Sequence, residues 1–260
     1  MTQPRHSRGH AGGVATPGSI LNIGTAAGRN HFGVQIGRSG DATMLNVRPE
    51  AIQAGYAEYP YFAPAAGNAA VRFWVPSDGP LSSSAAGGPR SELREYDRRG
   101  NPMGFDPFVG THYLRGRTKI TGLGASRAGK GLIVAQLHNG SVDRVSIRTQ
   151  FQTSNVRLRC RVNGTFAAPE WISVPGDADG GLGILGTEFE WLIKVVDGQL
   201  TVFFEDLATP IITSSALTPT GGPTWYFKAG AYAQFDETTD PGQHASVELR
   251  DLEHRHPGWP

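Results

Sequence analysis

Three short segments of the chain set chemically capable side chains at strand spacing. Arg90, Glu92 and Arg94 alternate with Ser91 and Leu93, and successive side chains of a strand point to opposite faces, so two guanidiniums and one carboxylate share a face. Gln136 and His138 share another around Leu137, which points to the core. In a third segment Tyr226, Lys228, Gly230, Tyr232 and Gln234 form a polar row, backed by Phe227, Ala229, Ala231 and Ala233 on a face suited to burial. Arginines braced by a carboxylate keep donors for an anionic ligand. Gly230, in the middle of the phenols, ammonium and amide, suits a groove in which a ligand comes close to the backbone.

Arginine, glutamine, histidine and tyrosine together suit removal of a proton next to a carboxylate, as in β-elimination on a uronic acid. The carboxylate must be neutralised to make the neighbouring carbon acid acidic enough, which Arg and Gln donors do electrostatically. A base must take the proton and an acid must protonate the departing glycosidic oxygen, and neutral His and Tyr fill those parts near neutral pH. Glycoside hydrolysis instead needs two facing carboxylates. Glu92 is a poor candidate acid, because flanking cations favour its ionised form.

The elements that must position these rows are strands. Gly 35 and Pro 18 punctuate 260 residues of which 38% are apolar, a turn-dense β composition rather than a disordered one. Short apolar-polar runs recur from His31 to Leu252 between turn clusters, the spacing of a sandwich or jelly roll. Asp197-Gly198 and Asn163-Gly164 have the chemistry of two-residue hairpin loops, and Pro49 to Ala54 suits one short helix. The expectation is an all-β, two-sheet jelly roll over 17–253, with tails at 1–16 and 254–260.

The balance of 24 Lys+Arg against 23 Asp+Glu argues against a generic nucleic-acid binder. Basic rows at Arg115, Arg117 and Lys119 and at Arg157, Arg159 and Arg161 read as solvated outer faces, either of which would otherwise extend a cationic groove. The single cysteine, Cys160, excludes an internal disulfide and reads as a buried structural thiol. No pair of histidines or carboxylates stands at metal-ligand spacing, so neither metal nor cofactor is expected. No apolar run approaches the roughly 18 residues of a membrane span. Met1 to Gly13 is polar without an apolar core, which fits a cytosolic protein or a mature form whose leader is gone.

In this order the three segments resemble the alginate lyases of polysaccharide lyase family 7, which are marked by Arg-(Ser/Thr)-Glu-Leu-Arg, Gln-(Ile/Val)-His and Tyr-x-Lys-x-Gly-x-Tyr-x-Gln strands. They stand here as Arg90–Arg94, Gln136–His138 and Tyr226–Gln234. The resemblance implies a jelly roll whose concave sheet binds an anionic polyuronide. It assigns carboxylate neutralisation to Arg90 or Arg94 together with Gln136. His138 becomes the base for guluronate and Tyr232 the acid, with Tyr232 serving as base and acid in turn for mannuronate. Tyr226 shares the face of Tyr232 and is the alternative tyrosine for that role. Arg94, Glu92, Tyr226, Lys228 and Gln234 would line the subsites. Leu137 departs from the family's Ile or Val, so the usual guluronate or mannuronate preference does not transfer. The expected protein is a secreted monomer in its mature form, with an acidic polysaccharide as its partner and neither nucleic acid nor membrane. The competing reading is a non-catalytic jelly-roll module that binds acidic glycans.

Overall fold

The computed structural model describes residues 15–25, 29–83, 87–97, 99–123, 131–139, 142–152, 155–163, 165–166, 184–214, 217 and 225–258. The first part of the chain runs α1 (Pro17–Ile20), β1 (Phe32–Ile36), β2 (Leu45–Val47), α2 (Pro49–Gln53), β3 (Phe62–Pro64), β4 (Val71–Pro76), β5 (Arg90–Glu95), β6 (Thr111–Gly122) and β7 (Leu132–Asn139). The second part runs β8 (Val142–Gln152), β9 (Asn155–Val162), β10 (Thr165–Phe166), β11 (Glu188–Val196), β12 (Gln199–Phe204), β13 (Ile212–Ser214), β14 (Trp225–Ala233) and β15 (His244–Arg255).

Two antiparallel sheets face each other. One has the order β10-β9-β8-β7-β14-β5-β1-β2 and the other β13-β12-β11-β6-β15-β4-β3. Strand alternation explains which residues lie between them. On β6 the side chains of Leu114, Thr118 and Ile120 are buried while Arg115, Arg117 and Lys119 point outward. Trp191 is fully buried, and its Nε1 donates to Thr118 Oγ1 at 2.8 Å, which satisfies the one polar atom of a large apolar ring. Cys160 is buried as a structural thiol.

The turn chemistry is realised where it is described. Asp197 and Gly198 both have positive φ, 46° and 83°, and they join β11 to β12 with Val196 opposite Gln199, as a two-residue hairpin requires. Asn163 is also left-handed at φ 48°. Pro49 opens α2 at its first turn, where the missing N–H costs nothing.

The described residues of the expected tails are folded at the C-terminal end and, at the N-terminal end, at Thr16. Thr16 caps α1 through its side chain, and residues 1–14 lie outside the described ones. At the other end β15 continues to Arg255, and His254 and His256 are buried. They bond to groups on other strands, which is why a stretch that looks polar in sequence is folded into the core.

Candidate active site

The three sequence motifs occupy three adjacent strands, β7, β14 and β5. Across them Lys228 stands opposite both Arg94 and Gln136, Tyr226 opposite His138, and Tyr232 opposite Arg90. Paired residues of antiparallel strands project to the same face. All nine residues expected at the site therefore belong to one surface of one sheet, with Gln234 immediately after β14.

Glu92 is the hub. Its carboxylate accepts from Lys228 Nζ at 2.6 Å, from Arg90 Nη1 at 3.2 Å and from Gln136 Nε2. A carboxylate only accepts, so this last contact fixes the amide orientation of Gln136. The expected brace on both arginines is thus corrected for Arg94. Glu92 ties Arg90 to Lys228 and Gln136, whereas the Arg94 guanidinium lies 4.3 Å from the centre of the Tyr226 ring. Tyr226 in turn stacks on His138 with ring centres 5.1 Å apart.

A second stack forms further along the groove. The Arg90 guanidinium lies 3.8 Å from the centre of the Tyr232 ring, and the Gly87 amide donates to Tyr232 Oη at 2.8 Å. The two tyrosines are therefore in different situations. Tyr226 is buried between a cation and an imidazole, and Tyr232 is half-buried with its oxygen held by the loop before β5.

The electrostatics follow from burial and from the three cations. Burial works to raise the Glu92 pKa, but Lys228 and Arg90 outweigh it and hold the group below the usual carboxylate range. Burial pushes Lys228 down to about 8 against the pull of Glu92. Burial and the neighbouring Lys228, Arg90 and Arg94 charges push His138 down to about 4, so its imidazole is neutral at pH 7. Burial raises Tyr226.

Several polar atoms of this face have no hydrogen-bond partner among the described residues although they are sealed from solvent. They are Arg90 Nε, Arg94 Nε, Gln136 Oε1 and His138 Nδ1. Each such atom costs stability of roughly 1–3 kcal/mol, and their concentration on one face marks a surface prepared for a ligand.

Gly230 has a different reason from the one its sequence position suggests. Its φ is +136°, and a Cβ there would lie 2.7 Å from Ser91 O and 2.9 Å from Phe73 Cδ1. The absent side chain serves backbone conformation and packing toward β5 and the core, at the place where the β14–β7 register shifts, rather than close approach of a ligand.

The two basic rows separate. Arg115 and Arg117 sit on the outer face of the second sheet and pair with Glu190 at 2.5 Å and 2.9 Å, while Lys119 faces Glu248 at 3.9 Å. They do not extend the groove. Arg159 and Arg161 stand opposite Arg148 and Ser146, and Ser146 stands opposite Gln136, so this row continues the motif face toward β9. Arg148 was not singled out from sequence, although its alternation with buried Ile147 and Thr149 carried the signal. It is buried and donates to Gln234 Oε1 at 2.9 Å. The Gly87 amide carried no side-chain signal at all.

Comparison with known proteins places the chain in a family and a fold. The family profile described as alginate lyase matches residues 28–256. No curated protein sequence matches. Among solved structures, the alginate lyase from Corynebacterium sp. superposes with TM-score 0.74 at 22% identity, covering 93% of this chain and 98% of that one. The alginate lyase from Klebsiella pneumoniae gives 0.72 at 17%, covering 94% and 100%. A substrate complex of the family 7 alginate lyase A1-II′ gives 0.70 at 23%, covering 93% and 97%. These likenesses establish the jelly-roll fold. The profile match extends over nearly the whole chain and includes all three motif strands, and on that ground the chain belongs to the alginate lyases of polysaccharide lyase family 7.

Proposed function

We propose that the protein cleaves alginate or a closely related polyuronide by β-elimination on the β7–β14–β5 face, with His138 as base and Tyr232 as acid. The observation that carries this is the group of unpartnered buried atoms on Arg90, Arg94, Gln136 and His138, set beside an imidazole that is neutral at pH 7. The guanidiniums and the second N–H of Gln136 neutralise the uronate carboxylate. His138 takes the C5 proton, the released electron pair forms the C4=C5 double bond, and the C4–O bond breaks. The departing oxygen receives the Tyr232 proton, leaving an unsaturated uronate on one product and a hydroxyl on the other.

Tyr232 is favoured over Tyr226 as acid. Its oxygen already accepts from the Gly87 amide, so the hydroxyl proton is directed elsewhere. The phenolate formed on donation keeps that N–H and the Arg90 cation beside it. Tyr226 orients His138 by stacking. The A1-II′ substrate complex was captured with one histidine changed to asparagine and one tyrosine to phenylalanine, the two residue types assigned here to base and acid. Arg159 and Arg161 bind uronates further along the chain. The enzyme works as a secreted monomer, since a long anionic polymer is met outside the cell.

Incubation with mannuronate-rich, guluronate-rich and glucuronate polymers, followed by ultraviolet absorbance of the unsaturated end, tests the reading. Absorbance rising on at least one alginate block type is the expected result. New reducing ends without that absorbance would indicate hydrolysis, and binding without either product would indicate a non-catalytic glycan module.

A further inference from the structure

On the core side of the same sheet lies a second polar cluster that the elimination does not use. Glu95, at the end of β5, projects opposite to Arg94 and is fully buried. It meets His254 and His256, which β15 brings from the other sheet. One ligand-type atom from each of the three lies within 4.8 Å of the others. In sequence both histidines fall in the expected 254–260 tail, where no metal is expected.

The hydrogen bonds around the cluster fix the imidazole tautomers. Asn30 Nδ2 donates to the carbonyls of Leu21 and Leu252, both at 2.6 Å, so its Oδ1 is the acceptor that faces His254. His254 Nδ1 lies 3.0 Å from that oxygen and must donate to it. For His256 the chain is longer. His112 Nε2 lies 2.9 Å from the Val109 carbonyl and must donate, which leaves the Nδ1 of neutral His112 as an acceptor. His256 Nδ1, 2.7 Å from it, is then the donor. Nδ1 therefore carries a proton in both rings, and each Nε2 is directed at the Glu95 carboxylate: His254 Nε2 is 3.7 Å from Glu95 Oε1, and His256 Nε2 is hydrogen-bonded to it. With both rings neutral, two nitrogen lone pairs would face the carboxylate, so the cluster needs a positive charge: either a second proton on His256, whose Nε2 then donates to Glu95, or a bound cation.

We propose that Glu95, His254 and His256 form a structural binding site for a divalent transition metal, with Zn2+ the ion that best fits the donor set. Two imidazoles and one carboxylate are borderline ligands suited to zinc. Tetrahedral zinc with bonds of about 2.0–2.1 Å sets its donor atoms roughly 3.3 Å apart. The His254–Glu95 separation is already near that value, and the His256–Glu95 contact has to open to it. The outer bonds to Asn30 and to His112 with Val109 are the supports that orient metal-bound histidines. A surface cleft lined by Gly110, Thr111, Tyr113 and Arg255 also reaches His256.

The location gives the site its purpose. Glu95 follows Arg94, and its Oε2 accepts from the amide of Phe227, between Tyr226 and Lys228. An ion held by Glu95 and the β15 histidines fastens the two catalytic strands to the opposite sheet.

The test uses the full chain, stripped with a chelator and titrated with Co2+. One tightly held equivalent with the intense visible bands of four-coordinate cobalt, displaced by Zn2+ and absent from a His254→Gln/His256→Gln variant, is the expected result. Saturating Zn2+ should also raise the melting temperature by roughly 5–10 °C at a hundredfold excess over Kd. Only the weak bands of six-coordinate cobalt on exposed histidines, or intense bands that survive in a folded double variant, would overturn the proposal. Should the double variant fail to fold, the wild-type cobalt spectrum decides between the same two results.

Discussion

Lys228 Nζ lies 2.6 Å from Glu92 Oε2, and both side chains are almost completely withdrawn from solvent. Glu92 also holds Arg90 and the amide of Gln136, so one carboxylate positions three groups of the carboxylate-binding floor. Removing its charge leaves Lys228 and Arg90 uncompensated. Glu92→Gln should therefore cost about 3–5 kcal/mol of stability, the usual penalty for breaking a buried ion pair from one side. Urea unfolding reads this as a lower midpoint, accompanied by loss of turnover. An unchanged midpoint would show that the pair carries no such strain.

The pH dependence has a definite sign. In the folded protein both Glu92 and His138 bind protons less readily than in the unfolded chain. The unfolded state therefore takes up more protons as the solution is acidified, and stability falls. For His138 the loss runs from its unfolded value of 6.5 down to about 4. For Glu92 it begins near 4.5 and continues below. Melting temperatures measured across this range should drop steadily on the acid side. The acid limb of kcat/KM should lie well below 6.5, and loss of the Lys228 charge should bring an alkaline decline near 8. An acid limb centred on 6.5 would mean that His138 is not held neutral by its surroundings.

Much of the site is legible in the sequence because a strand's period is two. The rows Arg90/Glu92/Arg94 and Tyr226 to Gln234 could be assigned to faces residue by residue. Their neighbours could not, since strand pairing is long-range. The partners of Glu92 turned out to be Lys228 and Gln136 on adjacent strands rather than Arg94 two residues along. Gly230 looked like a ligand contact because its neighbours are polar, but its backbone angle and the proximity of Ser91 and Phe73 account for it. His254 and His256 looked like tail residues because their partner, Glu95, is remote in sequence.

Gly230→Ala places a Cβ within 2.7 Å of Ser91 O at a φ of +136°. Strain of this kind costs about 1–3 kcal/mol, and the collision adds to it. A lower melting temperature is expected, with KM and kcat disturbed together because β14 carries the site. Unaltered stability would show that the strand relaxes freely at its register shift.

Charge placement predicts different effects for the two arginine rows. Arg161→Ala, on the strand that continues the motif face, should raise KM for long polymer and weaken its salt dependence, since exposed charge attraction is screened by salt. Arg115→Ala, on the outer face of the other sheet and already paired with Glu190, should leave both unchanged. Equal effects at the two positions would contradict the assignment of faces.

The most direct test compares Tyr232→Phe with Tyr226→Phe by absorbance of unsaturated product and, separately, by oligouronate binding. Tyr232→Phe keeps the ring over Arg90 and removes only the proton donor, so turnover should fall by roughly 10²–10⁴-fold with binding retained. Tyr226→Phe keeps its stack on His138 and Arg94 and should retain most activity. Full turnover by Tyr232→Phe, with loss in Tyr226→Phe, would contradict the account and exchange the two roles.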